Sequence, residues 1–129
     1  MVDITAFMDS SVLIDILRQH LPAKTWMVDQ MPNQLAVTPY VWMEVVFGAP
    51  DKVNQQRAEK MLAQFRLVYP TQADTDWSMR QLAAYSLSHS VGVLDCLIAA
   101  PAHRLKLPLY TTNVKHFAPL LGDAAVPPY

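Results

Sequence analysis

Short apolar runs alternate with helical periodicity along the whole chain, and that alternation sets the fold class. Residues 3–8 (DITAFM), 35–38 (LAVT), 66–69 (RLVY) and 108–111 (PLYT) each read as a short strand, with a last strand expected near 124–126. Helical spacing fills the gaps. Leu13, Ile16 and Leu17 fall at i, i+3, i+4 directly after Asp9-Ser10-Ser11, so a strand passes straight into a helix. Pro22 opens a second helix running to about Met31, and Thr38-Pro39 caps and starts a third over 40–47. Further helices are expected over 51–65, 71–88, 94–105 and 114–121. Strands that are short, continuous and apolar, each followed by a helix, belong to a parallel sheet covered on both faces. The expected fold is therefore α/β: a three-layer α/β/α sandwich around a central, mainly parallel sheet. With 129 residues, it should form one domain spanning 1–129.

Composition excludes several function classes. Formal net charge is −1, from ten Lys/Arg and eleven Asp/Glu, so no basic tail announces a nucleic acid. A single cysteine, Cys96, excludes an internal disulfide and a Cys-based zinc site. The four histidines, at 20, 89, 103 and 116, lack metal-ligand spacing. The N-terminus does not read as a signal peptide, and no apolar run is long enough to span a bilayer, so a cytoplasmic protein is expected. Hydrophobic residues make up 52%, above the usual ~45–50%, so the surplus should cover a partner as well as a core. The early helices, with Leu13, Ile16, Leu17, Trp26 and Trp42, are the expected place for that surface.

Ligands of parallel α/β sheets bind outside the carboxyl ends of the strands. The first strand ends there in Asp9, followed by Ser10 and Ser11, and the fourth in Thr111-Thr112-Asn113. Asp95 lies in the turn that opens a helix. Taken singly, each of these is also an ordinary helix cap. Glu44 is harder to dismiss. It sits in mid-helix on an apolar stripe with Tyr40, Val41, Phe47 and Gly48, in a chain with only two Glu. A carboxylate there must be paired, protonated or metal-bound, and an ion pair with an Arg is the plain alternative. Together these positions suggest a carboxylate pocket. Oxygen ligands without His or Cys suit Mg²⁺ or Mn²⁺. The chain lacks GxGxxG, GxxxxGK[ST] and GxSxG, which argues against a dinucleotide fold, a P-loop NTPase and an α/β-hydrolase.

Four segments then carry a resemblance. FMDSSVLIDIL resembles the opening motif of PIN-domain proteins, especially toxins of the VapC type. TPYVWMEVVFGA resembles their Glu-bearing helix, VGVLDCLIAA the helix opened by an Asp, and LPLYTTNVKHF the last strand with its Thr-x-Asn/Asp end. The motifs fall in family order over essentially the whole chain. The resemblance implies Asp9 and Asp95 as main metal ligands and Glu44 as a ligand or supporting acid. It puts Asn113 in the place of a fourth acid, with Ser11 and Thr111 as hydrogen-bonding support. Lys115 and His116 become candidate contacts for substrate phosphate. The implied activity is Mg²⁺-dependent cleavage of RNA by metal-activated water. A cognate antitoxin and a homodimer are the implied partners. Two departures stand out. Asn113 is neutral where many members carry Asp, and Pro101 should kink or end the helix that Asp95 opens, at ~3 kcal/mol. Two rival readings follow from the same residues: an inactive PIN fold that only binds RNA or protein, and a small phosphohydrolase.

Overall fold

The apolar runs form a five-stranded, all-parallel sheet in a computed structural model that describes residues 3–129. Met1 and Val2, the first residues of the expected 1–129 domain, lie outside it. Along the chain the elements are β1 (Ala6–Met8), α1 (Ser10–Leu17), α2 (Leu21–Val28), β2 (Leu35–Val37), α3 (Pro39–Phe47) and α4 (Lys52–Leu62). They continue with β3 (Arg66–Leu67), α5 (Gln72–Tyr85), α6 (Val93–Leu105), β4 (Leu109–Tyr110), α7 (Val114–Leu121) and β5 (Ala125–Val126). Strand order is β3-β2-β1-β4-β5, and the seven helices flank the sheet, as the alternation predicts.

The central strands β1 and β2 are buried at every residue. Phe7, Met8 and Val37 from the sheet meet Val12, Leu13, Val41, Val45 and Phe117 from the helices in one core. Observed strands are shorter than expected. Residues 66–69 give a ladder of two, because β3 is an edge strand paired only with β2, and Pro70 follows at once. The helix expected over 71–88 ends at Tyr85, just before a left-handed backbone at Ser90 (φ 55°).

Pro101 does not end α6. The helix runs on to Leu105 with Pro101 fully buried inside it. Contacts with α5 on both sides of the proline account for this. Before it, Ser78 Oγ donates to the Cys96 carbonyl at 3.1 Å. After it, Trp77 stacks on His103 with centroids 4.6 Å apart, and Arg104 Nε donates to Asp74 Oδ1 at 2.9 Å. Asp74 also accepts from the Thr71 N–H at 2.8 Å, closing a capping box at the start of α5. Burial alone would raise the Asp74 pKa, but Arg104 and Thr71 outweigh it and hold the carboxyl below its usual range. These tertiary bonds offset the ~3 kcal/mol that a proline costs in an unsupported helix.

The early helices do present exposed apolar side chains, but not the expected ones. Leu13 is fully buried, and Ile16, Leu17, Trp26 and Trp42 are half-buried against the core. The exposed large apolar side chains are others, among them Leu21 and Val28 on α2, Met43 and Phe47 on α3, and Val53 on α4. Hydrophobic composition indicated a surplus, but a single helical stripe does not tell which part of it the sheet covers.

Candidate active site at the carboxyl edge of the sheet

Because the sheet is parallel, β1, β2 and β4 deliver Asp9, Thr38 and Thr111 to one edge. Asp9 is 3% exposed, and although it precedes α1 its side chain caps nothing. Its Oδ2 instead accepts from Thr111 Oγ1 at 2.8 Å and from Ser11 Oγ at 2.8 Å. Its Oδ1 has only a long contact, 3.5 Å, with Ser10 Oγ. A buried carboxylate with one oxygen doubly satisfied and the other nearly free is poised to accept a cation. The helix-cap explanation therefore fails for Asp9.

The support extends outward. Thr111 is fully buried, and its hydroxyl also accepts from the Asn113 N–H at 2.9 Å. Ser11 Oγ accepts from the Thr112 N–H at 3.1 Å. Ser11 and Thr111 thus tie the start of α1 to the end of β4 through the Asp9 carboxylate.

Glu44 projects into the same region from α3. Ser10 Oγ donates to its Oε1 at 3.2 Å, and no Lys or Arg among the described residues pairs with it, so the ion-pair alternative has no support. Burial pushes the Glu44 carboxyl up, the Ser10 hydroxyl pulls it down, and the charges of Asp9 and Asp95 push it up again. The net effect is a raised pKa. That charge effect puts Asp95 within electrostatic reach of Glu44. Asp95 does cap: the Gly92 N–H donates to its Oδ2 at 2.9 Å. The same oxygen lies 3.6 Å from His116 Nδ1, and the carboxyl is 21% exposed.

The other expected residues fall around this group. Asn113 is exposed at the start of α7, with no side-chain cap bond. Lys115 is exposed in the first turn of the same helix. His116 faces Asp95, so it touches an acid of the site as well as solvent. Asp15, the second acid of FMDSSVLIDIL, is engaged elsewhere. It accepts from the Tyr129 hydroxyl at 2.7 Å, which with burial suppresses that phenol's acidity. Ser10 was the residue that sequence reasoning passed over. It bridges Asp9 and Glu44, yet a Ser opening a helix reads as a cap.

Among the described residues, no three His, Cys, Asp or Glu side chains converge tightly enough to enclose an ion unaided. Mg²⁺ does not require that, because it keeps several waters and commonly takes only one or two carboxylates. The all-oxygen donor set, the nearly free Asp9 Oδ1 and the mutual repulsion of the acids fit such an ion.

Comparison with known proteins agrees with this geometry. The PIN domain family model matches residues 6–118. Ribonuclease VapC10 of Mycobacterium tuberculosis is 32% identical over 111 residues, covering 84% of this chain and 83% of that protein. A toxin-antitoxin complex from Klebsiella pneumoniae contains a chain that matches with TM-score 0.78 and 30% identity, covering 97% of this chain and 98% of that one. DNA-bound VapBC from Salmonella typhimurium shares the fold at TM-score 0.73 and 16% identity, over 88% and 90% of the two chains. On sequence match and fold, the chain belongs to the PIN domain family.

Proposed function

We propose that this chain is a metal-dependent endoribonuclease of the VapC type, the toxin of a toxin-antitoxin pair acting in the cytoplasm. One observation carries the reading. Asp9 is buried and held by two short hydroxyl bonds, on the same serine as Glu44, whose carboxyl is pushed up by burial and, to a smaller degree, by the charges of Asp9 and Asp95. A purely structural carboxylate would be expected to have a cation or a helix end as its partner, and among the described residues Asp9 has neither.

Asp9 and Asp95 would hold Mg²⁺ or Mn²⁺, with Glu44 as a third or supporting acid. When bound, the ion supplies neutralisation of phosphoryl charge and a water of lowered pKa. Thr111 and Ser11 fix the Asp9 carboxylate, so that its free oxygen keeps one direction. Ser10 holds Glu44 toward Asp9. Lys115, exposed in the first turn of α7, would receive a substrate phosphate, and the Asn113 amide would accept or donate a hydrogen bond there.

The expected metal response follows from the charge balance. A carboxyl whose folded pKa is raised, such as Glu44, contributes stability that is fully present below its unfolded pKa. That contribution is lost as pH rises through the folded pKa. A divalent ion relieves the repulsion and binds the folded form. At 100-fold over Kd it should stabilise by about 2.7 kcal/mol, or several degrees of melting temperature. The increment should grow as pH rises and disappear in Asp9→Asn. Melting curves with and without Mg²⁺ at two pH values measure it. An identical response in the variant would place the ion elsewhere and sink the assignment.

Asn113 gives a second expectation. An amide oxygen is a weaker ligand than a carboxylate, so Asn113→Asp should lower the Mg²⁺ concentration needed for half-maximal cleavage. An unchanged or higher requirement would assign Asn113 to substrate or backbone instead.

The reading includes an antitoxin partner and a homodimer. Support comes from the kinship with proteins of toxin-antitoxin complexes and from the exposed Met43, Phe47 and Val53. Between α1, α3 and α4 lies a groove of about 420 Å³, lined by Ile14, Leu17 and Val45 together with Arg18 and Arg57. An amphipathic segment with acidic residues would complement it. Arg57→Glu should therefore weaken copurification of the antitoxin while leaving the dimer mass intact in light scattering. Unchanged retention of the antitoxin would remove the groove from the interface.

A further inference from the structure

Register gives the carboxyl edge of the sheet a direction. Phe7 pairs with Ala36 and with Leu109, so Asp9 stands level with Thr38 and Thr111. Val37 pairs with Leu67, and the Val68 N–H still donates to the Val37 carbonyl, so Val68 stands level with Thr38. One residue further on, the rim is formed by Tyr69, Pro39, Ser10 and Thr112 in the order of β3, β2, β1 and β4. The acids sit in the middle. Asn113, Lys115 and His116 lie on the β4 side, and two tyrosines, Tyr40 and Tyr69, on the β2–β3 side. Tyr69 is two strand spacings, roughly 10 Å, from the path of β1.

Both tyrosines lack an internal role for their polar ends. Tyr69 is 68% exposed, and neither its ring nor its hydroxyl has a partner among the described residues. Tyr40 rests its body against the core and is half-buried, and its hydroxyl is likewise unbonded among the described residues. It lies one turn before Glu44 on the same helical face. Helical side chains lean toward the N-terminus, so Glu44 covers the turn that carries Tyr40. That turn is fixed by Pro39 and by the Val41 N–H donating to Thr38 Oγ1 at 3.2 Å.

A chain of net charge −1 with three acids at its centre attracts a polyanion weakly at long range. Affinity for RNA must then come largely from contacts that do not need charge. Unpaired bases supply one, because every base stacks on an aromatic face.

We propose that Tyr40 and Tyr69 form a base-stacking side of the active-site rim, which takes unpaired bases of single-stranded RNA on one side of the scissile phosphate. Lys115 takes backbone phosphate on the other side. The proposal rests on the ribonuclease reading above, and it names the substrate as single-stranded and its flanking bases as the recognised feature.

The test is binding of a fluorescent single-stranded RNA to the full chain in Mg²⁺, in the Asp9→Asn background to prevent cleavage. Tyr69→Ala and Tyr40→Leu should each weaken binding roughly tenfold, while Phe at either position retains affinity. The salt dependence should be unchanged in the tyrosine variants and should fall by about one counterion in Lys115→Ala. An RNA with abasic spacers beside the cleavage site should erase the loss in Tyr69→Ala, which a structural role would not do. If Tyr40→Leu fails to fold, Tyr69→Ala carries the test alone. Losses below about twofold, or equal losses on the spacer RNA, overturn the platform. RNA cleavage by the wild type would then leave the ribonuclease reading standing. A wild type that neither binds nor cleaves RNA overturns both.

Discussion

Asp9→Asn is expected to reduce RNA cleavage by a factor of at least about 100, since loss of even an outer partner of a metal ligand commonly costs 10–100-fold. The change preserves volume. The Asn oxygen can still accept from Thr111 and Ser11, so the packing of a residue only 3% exposed should survive. What is lost is one negative charge at the centre of the site. Glu44 should respond, because Asp9 contributes to its raised pKa. Removing that neighbour moves the Glu44 carboxyl back toward its ordinary value. Metal-free melting should therefore hold or rise while activity collapses. Cleavage assays and metal-free melting curves on the same preparation check both halves. Full cleavage in the variant, or a large fall in its metal-free melting temperature, would mean that Asp9 is structural.

Thr111→Val should affect stability and activity together. Valine fills the same fully buried space but deletes a hydroxyl with two short bonds, one donated to Asp9 and one accepted from the Asn113 N–H. Each partner is left short of a bond, at a cost of about 1–3 kcal/mol. For a domain of this size that is several degrees in melting temperature. Cleavage should fall about 10- to 100-fold, as for other residues that orient a metal ligand. Thr111→Ser should recover most of both. Denaturant unfolding and cleavage kinetics measure the pair of effects. Loss of stability without loss of cleavage would show that the hydroxyl supports the fold only.

The legible part of this protein is the part set by local pattern. Asp9 and Thr111 stand out because a parallel sheet must place strand-end residues on one edge. Glu44 stands out because a carboxylate on an apolar helical stripe has no cheap explanation. Asp95 was ambiguous from sequence and is dual in structure, both accepting from the Gly92 N–H and charging the site. The rest depends on partners far apart in the chain. Ser10 reads as a cap until α3 brings Glu44 to it, 34 residues on. Pro101 reads as a break until the contacts of Ser78, Trp77 and Asp74 with α6 are known. Likewise, the early helices were expected to expose Leu13 and Trp26. Tertiary packing turned those inward and left Met43 and Phe47 outside. Strand length was overestimated at β3 for a related reason. Arg66 and Leu67 lie at the sheet edge with β2 alone beside them, and Pro70 follows.

The central claim is that the acids at the carboxyl edge make this chain a metal-dependent ribonuclease, and chelation tests it most directly. Metal-stripped protein is mixed with end-labelled single-stranded RNA in chelator, and Mg²⁺ or Mn²⁺ is then added back to wild type and Asp9→Asn in parallel. The account predicts intact RNA in chelator, cleavage restored by either ion in the wild type, and none in the variant. Cleavage that persists in chelator, or that the ions restore equally in Asp9→Asn, with contaminating nuclease excluded, would contradict it.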